Sequence, residues 1–184
     1  MKSLKLMTLV FVLFLSACAQ NAKQVSNAPE AIIPTTGVGS LSISPVTFEE
    51  HLQLRDAVKN ECKLLTKLPA FVKSYANAQY ASITTESANT KTGDHLFIQI
   101  VEITNSKKNL WTGQGVGQYI GVEGYLMKKG KKVASFKGRR STTGGFMGGY
   151  KGTCALLGRC TKTLGKDIAS WLKNPVDNAR LGNM

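Results

Sequence analysis

Histidine is scarce in this chain. His51 and His95 are the only histidines among 184 residues, and they do not form a metal-ligand spacing such as His-Glu-x-x-His. No metal or other cofactor is therefore expected, and both side chains are interpreted as structural or surface residues. A cysteine nucleophile, for which Cys154 at a predicted helix start is the candidate, would need a histidine base. Neither histidine lies in a catalytic motif, so the sequence favours a protein that is not an enzyme.

Acidic residues are also few, which leaves the chain strongly basic. There are 11 Asp and Glu against 24 Lys and Arg, for a formal net charge of +13. In a cytosolic protein this charge would suggest a nucleic-acid partner, but the export signal described below argues against one. Outside the cytoplasm the acidic partners are anionic lipid headgroups, lipopolysaccharide phosphates, cell-wall polymers or an acidic protein. The alternative is that the lysines only keep the surface soluble.

The chain has no apolar run long enough for a stable transmembrane helix. Its longest run, from Leu6 to Leu15, is broken by Thr8 and is about half of the roughly 20 residues that span a bilayer. Lys2 and Lys5 precede this run and small residues follow it. A charged start, an apolar middle and a small-residue end are typical of a secretory signal. Residues 1–17 are therefore predicted to be a signal peptide.

The signal ends in Leu15-Ser16-Ala17-Cys18, which resembles the lipobox of bacterial lipoproteins. The resemblance implies cleavage before Cys18, lipid on its thiol and an acyl chain, such as palmitate, on the new amino group. Two or more acyl chains give a stable membrane anchor, at about 0.8 kcal/mol per buried CH₂. Ala19 follows where Asp would imply the inner membrane, so the resemblance implies an outer-membrane anchor with the domain facing the periplasm. An ordinary signal peptide with a chance cysteine is the alternative.

Three cysteines remain in the mature chain, and an exported compartment permits disulfides. Cys154 and Cys160 are six residues apart on a predicted helix, which separates their Cα atoms by about 9 Å, beyond bridging distance. A disulfide between Cys62 and Cys154 is therefore predicted. Cys160 lies in an apolar stripe, where a free buried thiol is ordinary. A Cys154–Cys160 bridge would mean that the helix begins later.

Composition and periodicity divide the chain into four parts. Residues 18–39 have little apolar content and are predicted to be a lipidated flexible tether. Residues 40–175 are predicted to form a single domain, and residues 176–184 a polar, disordered tail. Within the domain, Thr47-Phe48-Glu49-Glu50 has the form of a capping box and predicts a helix. Pro69 is expected to break or kink that helix.

Alternation predicts the strands, and helical spacing predicts the last element. Strands are expected at 41–44, 83–85 and 95–104, followed by a hairpin in which 119–129 and 131–142 face each other across Gly130. The final helix begins with Thr153 as N-cap and ends before Pro175. Its apolar stripe consists of Leu157, Cys160, Leu164, Ile168 and Trp171.

These elements predict an α+β fold. A small mixed or antiparallel sheet of about four to five strands carries helices on one face, and the chain ends in an amphipathic helix. The layout resembles that of small uncharacterised envelope lipoproteins, such as those related to the curli-secretion lipoprotein. It is also similar to the amino-terminal domain of the Tol-system β-propeller protein. No motif accompanies this likeness, so it carries no functional residues to this chain.

Two glycine-rich segments, 113–117 and 144–152, do not match the phosphate-binding pattern G-x-x-x-x-G-K-[ST] and are interpreted as turns or hinges. The second segment carries three apolar side chains on flexible backbone, namely Phe146, Met147 and Tyr150. They are predicted to form a partner-binding loop. The alternative is that they pack over the core.

The predicted hairpin is strongly basic. Its candidate anion-binding residues are Lys128, Lys129, Lys131, Lys132, Arg139 and Arg140. Such a block attracts anionic surfaces, with about 1 kcal/mol for each residue near an acidic membrane. The alternative is an edge strand that lysines protect against aggregation.

The sequence therefore predicts a lipid-anchored envelope protein that acts by binding. The first hypothesis is an accessory or assembly lipoprotein that docks a protein partner. The alternative is a protein that binds an anionic envelope lipid or a cell-wall polymer through the basic hairpin. A cell-wall hydrolase is a third hypothesis, but no acid–base or nucleophile set supports it.

Overall fold

A mixed β-sheet forms the centre of the fold. The computed structural model describes residues 37–85, 93–104, 117–142 and 152–184. Within those ranges the strands are β1 (Ser40–Ile43), β2 (Thr47–Phe48), β3 (Ser82–Thr84), β4 (Asp94–Ile103), β5 (Gln118–Lys128), β6 (Lys131–Thr142) and β7 (Ala179–Gly182). Their order is β3-β1-β4-β5-β6-β7, with β2 also paired to β4. The predicted α+β fold with a mixed sheet is confirmed, but the expected four to five strands were too few.

The long strands β4, β5 and β6 carry most of the sheet. Leu96, Ile98 and Ile100 are buried at alternate positions of β4, as the period of two predicts. Strands β5 and β6 form the predicted hairpin. Its turn residues Lys129 and Gly130 have φ of 51° and 75°, which is the backbone that a two-residue hairpin turn requires.

Strands β1 and β2 lie one after the other along the same edge of β4. Leu41 pairs with Asp94 and Thr47 pairs with Gln99, both in parallel register. Between the two strands, Pro45 has no N–H to donate, which interrupts the ladder. The capping box predicted at Thr47 is therefore wrong. Backbone pairing with β4 occupies this segment, and the first described helix begins only at Asp56.

Three described helices accompany the sheet: α1 (Asp56–Glu61), α2 (Leu64–Ala76) and α3 (Thr153–Trp171). The break between α1 and α2 falls at Cys62 and Lys63, where Lys63 adopts a left-handed φ of 52°. A break or a kink was predicted at Pro69, but this residue lies buried inside α2, so the helix does not break there. Helix α3 packs on β5 and β6, and α2 packs against α3. These helices cover one face of the sheet.

Helix α3 buries the predicted apolar stripe. Leu157, Cys160, Leu164, Ile168 and Trp171 are all buried. Their three- and four-residue spacing therefore reported the packed face correctly. The N-cap is Gly152 and not Thr153, which is the first helical residue.

The carboxyl-terminal segment is ordered by backbone pairing. Strand β7 lies parallel to β6, with Phe136 opposite Ala179 and Arg139 opposite Gly182. The indole Nε1 of Trp171 donates to the Val176 carbonyl over 3.1 Å and fixes the approach to β7. The prediction of a disordered tail at 176–184 is therefore wrong. Ladder hydrogen bonds hold this polar segment, and side-chain hydropathy does not report them.

Residues 34–184 belong to one compact unit. The predicted signal peptide, Cys18 and all but the last residues of the predicted tether lie outside the described residues. Among the helices that the structure describes, none is long and apolar enough to cross a membrane.

Candidate functional site on the open face of the sheet

The face of the sheet away from the helices carries an aromatic pair. Phe97 on β4 and Tyr125 on β5 are direct cross-strand partners. Their rings stack with centroids 4.7 Å apart and planes 15° apart. Tyr125 remains 36% exposed, so part of this apolar surface is available to a ligand. Aromatic surface of this kind is enriched where proteins bind partners.

Charged side chains lie beside the aromatic pair. Lys137 on β6 donates to Glu123 Oε1 on β5 over 2.7 Å, and the two residues are cross-strand partners. The side chains are 65% and 46% exposed. Such a pair contributes only about 0–1 kcal/mol to stability. Each of the two side chains can therefore leave this ion pair and bind a charged group on a partner at little cost to the fold.

A second polar cluster lies further along the same face. The Tyr119 hydroxyl donates to Glu102 Oε1 over 2.6 Å. The Arg139 guanidinium lies 3.9 Å from the centroid of the Tyr119 ring, and its Nε is 3.8 Å from Glu102 Oε2. Stacking on an aromatic ring restricts a guanidinium without neutralising it. Arg139 therefore presents an oriented positive charge on the open face.

A groove of about 680 Å³ runs across this face. It extends from the β1–β2 connection at Ser44 and Pro45 to the α3–β7 connection at Asn178. Its lining residues include Thr47, Phe97, Gln99, Glu123, Tyr125, Lys132, Ser135 and Lys137. Aromatic, amide, hydroxyl and charged groups thus line one concave surface, which suits a mixed polar and apolar ligand.

The α3–β7 connection is fixed at one end of the groove. The Ser135 hydroxyl donates to the Asp177 carboxylate and accepts from the Asn178 N–H, the second bond measuring 3.1 Å. The hydrogen bond from Ser135 lowers the pKa of the exposed Asp177 carboxyl. Asp177 therefore stays ionised and adds a negative group at the rim of the groove.

The structure separates the six predicted anion-binding residues. Lys128, Lys129, Lys131 and Lys132 lie together at the hairpin tip, where Lys128 pairs with Asp94 over 3.0 Å. Arg139 lies on the open face. Arg140 lies on the helix side, where its Nε and Nη2 bind both oxygens of Asp167 on α3 over 2.6 Å and 2.8 Å. The basic hairpin is thus a tip of lysines plus two arginines with other partners.

The cysteines pair as predicted. A disulfide joins Cys62 to Cys154, with Cα atoms 4.8 Å apart, and links the end of α1 to the start of α3. Cys160 is free and buried, and burial raises the pKa of its thiol to about 11. Neither Cys154 nor Cys160 is therefore a thiolate at neutral pH. Within the described ranges, no group of three or more histidines, cysteines and acids could hold a metal ion.

The remaining predicted residues lie elsewhere. His95 is buried and His51 is exposed. The predicted partner-binding residues Phe146, Met147 and Tyr150 lie outside the described residues, as do 113–116 of the first glycine segment.

Sequence reasoning missed the groove, although a signal for it was present. Tyr119, Glu123 and Tyr125 occupy alternate positions of β5, which places them on one face of the sheet. Lys137 and Arg139 have the same relation on β6. Applying the hairpin register to these residues would have brought the two sets together, because Glu123 lies opposite Lys137.

No known protein-family model matches the chain, and no curated protein matches it in sequence. Solved structures do match. An uncharacterised protein aligns with a TM-score of 0.52 and 11% identity, over 72% of this chain and 91% of its own. A Xanthomonas campestris protein of the DUF330 family aligns with a TM-score of 0.51 and 11% identity, over 78% of this chain and 88% of its own.

A third match is a minor lipoprotein from Acinetobacter baumannii, with a TM-score of 0.41 and 14% identity over 76% of this chain and 96% of its own. The two likenesses with TM-scores above 0.5 show a shared fold. At 11% identity they transfer no residue roles to this chain.

Proposed function

We propose that this protein is a lipid-anchored accessory protein of the bacterial envelope that binds a partner protein and does not catalyse a reaction. Lipid on Cys18 holds it in the outer membrane, and its domain faces the periplasm. The lipobox resemblance at residues 15–18 and Ala19 after the cysteine support the anchor and its membrane.

The groove on the open face of the sheet carries the binding proposal. It combines the partly exposed Tyr125 ring, stacked on Phe97, with the exposed pair of Glu123 and Lys137. Aromatic anchors surrounded by a polar rim are the common anatomy of protein interfaces. Two further positive groups, Lys132 and Arg139, lie on the same side as the negative groups Glu102 and Asp177, so a partner surface with charges of both signs would be complementary.

A second contact with the partner is proposed for the loop that carries Phe146, Met147 and Tyr150. Its composition, apolar side chains on glycine-rich backbone, supports an adaptable contact surface. This part of the proposal rests on sequence alone.

Site-specific photo-crosslinking in intact cells tests the proposal. A photoreactive residue at Ser135, inside the groove, is expected to give one discrete protein adduct. The same residue at Tyr150 is expected to give an adduct with the same partner. A photoreactive residue at Lys166, on the exposed side of α3, serves as the control and is expected to give none.

A charge reversal supplies the second readout. Lys137→Glu removes the exposed ion pair with Glu123, which costs the fold less than about 1 kcal/mol. The variant is expected to abolish the adduct formed from Ser135. Equal adducts from Ser135 and Lys166, or an adduct that persists in Lys137→Glu, would contradict binding at the groove. The anchor is checked separately, by mass spectrometry of the amino-terminal peptide and by loss of membrane association in Cys18→Ser.

A further inference from the structure

The strand register places the lysine tip of the hairpin at one end of the strands. The chain enters the sheet from its amino terminus at this same end, which we call the tip edge. Leu41 on β1 lies opposite Asp94, and Asp94 lies opposite Lys128. Lys128 in turn lies opposite Lys131. Three strand spacings of about 4.8 Å separate β1 from β6, so the two points lie about 14 Å apart along the tip edge.

The lysines of the tip have few partners: Lys128 pairs with Asp94, and Lys132 Nζ lies 5.8 Å from the centroid of the Tyr125 ring. Lys129, Lys131 and Lys132 are exposed, and among the described residues none of the three forms an ion pair. A Cβ atom added at Gly130 would meet no atom within 4 Å. The turn of the hairpin is therefore open to solvent.

An exposed apolar side chain accompanies the lysines. Val133 is 45% exposed and falls where the pairing of β5 and β6 shifts register between Leu126 and Met127. Asp94 connects the base of the tip to its neighbours. It accepts a hydrogen bond from the Tyr80 hydroxyl over 3.3 Å and pairs with Lys128 over 3.0 Å. Burial, followed by the charge of Asp94, raises the pKa of Tyr80, so this hydroxyl stays protonated as a donor.

We propose that the hairpin tip is a second membrane contact, in which Lys129, Lys131 and Lys132 bind anionic phospholipid headgroups of the membrane that holds the lipid anchor. The proposal rests on the proposed anchor at Cys18 for the identity of that membrane. A tether from this anchor reaches the sheet at the tip edge, so the lysines face the lipid surface at high local concentration. Each such lysine raises the partition coefficient onto an acidic membrane about fivefold.

The contact would also set the orientation of the groove. With the tip on the headgroups, the strands run away from the membrane, and the open face that carries Phe97 and Tyr125 looks sideways into the aqueous space. A partner would then reach the groove from the aqueous side, with Lys132 at the border between the groove and the lipid contact. A cell-wall polymer offers similar charge, but the shared edge of tip and tether favours the lipid surface.

Vesicle flotation tests the contact without the anchor. The probe is the chain from residue 18 onward with Cys18→Ser, which contains the whole compact unit of residues 34–184. It is expected to bind vesicles of 30% phosphatidylglycerol in phosphatidylcholine and to lose that binding at 0.5 M salt. It is not expected to bind vesicles of pure phosphatidylcholine. Replacing Lys129, Lys131 and Lys132 by Gln is expected to lower the partition coefficient about 100-fold.

A matched triple variant controls for net charge. Arg159, Lys162 and Lys166 are exposed positive residues of α3, and their replacement by Gln removes the same charge from another surface. This variant is expected to bind as the parent does, and thermal unfolding checks that both triples are folded. Equal losses in the two triples, equal binding to uncharged vesicles, or binding to cell-wall fragments without binding to vesicles would each overturn the proposal.

The flotation result is independent of the anchor. If the cell-derived protein carries no lipid on Cys18 but the tip variant loses vesicle binding, the anchor fails and the tip contact stands. If lipid is present but flotation shows no dependence on phosphatidylglycerol, the tip contact fails and the anchor stands.

Discussion

At the residue scale, two glycines of α3 have different surroundings although they look alike in the sequence. A Cβ atom added at Gly165 would lie 2.5 Å from Phe71 Cβ and 3.1 Å from the Phe71 carbonyl carbon on α2. One added at Gly158 would meet nothing within 4 Å. Gly165 therefore allows the two helices to approach, whereas Gly158 only weakens α3.

Alanine at these positions is expected to change stability in opposite directions. Gly158→Ala should raise the free energy of unfolding by about 0.5–1 kcal/mol, since alanine loses less backbone entropy in a helix. Gly165→Ala should lower it by about 1–3 kcal/mol, because the added methyl group forces α2 and α3 apart. Urea denaturation followed by circular dichroism measures both. Shifts of the same sign would contradict the assigned role of Gly165.

The sequence predicts a residue's role only where a repeating pattern reports its surroundings. The apolar stripe of α3 could be predicted because five buried positions recur at helical spacing. The Cys62–Cys154 pairing could be predicted from helix geometry. The role of Gly165 follows no such pattern, because the atoms that fill its space belong to Phe71 on α2, which lies far away in the chain. The groove depends in the same way on the register between strands.

At the element scale, Arg140 joins three parts of the fold. Its guanidinium binds Asp167 on α3 through two nitrogens and donates to Asn183 Oδ1 over 2.7 Å through Nη1. The Asn183 N–H donates to the Arg139 carbonyl over 2.8 Å. The hydrogen bond to Asp167 raises the pKa of Arg140, which keeps it charged. One side chain thus connects β6, α3 and the end of β7.

Arg140→Lys is expected to loosen β7 while leaving the hairpin intact. A lysine keeps the charge but cannot make the two parallel bonds to Asp167 and a third to Asn183. We expect a loss of about 1–2 kcal/mol in the free energy of unfolding. Amide hydrogen exchange at residues 179–183 should be faster than in the parent by more than any change in β4.

Lys137→Met is the control for Arg140, since it breaks an exposed ion pair on the same strand and should cost about 0.5 kcal/mol or less. If amide exchange of β7 is as slow in Arg140→Lys as in the parent, the strand is held by its backbone pairing alone.

The short elements show why part of the fold could not be predicted. Strand β2 has only two residues, too few for alternation to be recognised. Thr47 and Glu50 match a capping box, but pairing with β4 overrides this local signal. The polar composition of residues 176–184 indicated disorder, because the ladder to β6 uses backbone groups that every residue possesses.

At the scale of the whole molecule, the Cys62–Cys154 disulfide joins residues 92 positions apart. It links the α1–α2 junction to the start of α3 and so encloses most of the sheet. In the chain-entropy model a loop of this length stabilises the fold by about 4–5 kcal/mol. The domain therefore depends on an oxidising compartment, which agrees with the export that the signal peptide predicts.

The double variant Cys62→Ala/Cys154→Ala is accordingly expected to lose about 4–5 kcal/mol of unfolding free energy in urea. Reduction of the parent by dithiothreitol should give the same loss, because both treatments open the same loop. Cys160→Ala is the matched control. It removes a buried thiol that closes no loop, so reduction should destabilise it by as much as it destabilises the parent. A double variant that unfolds within about 1 kcal/mol of the parent would mean that the unfolded chain is already compact enough for the bridge to restrict little.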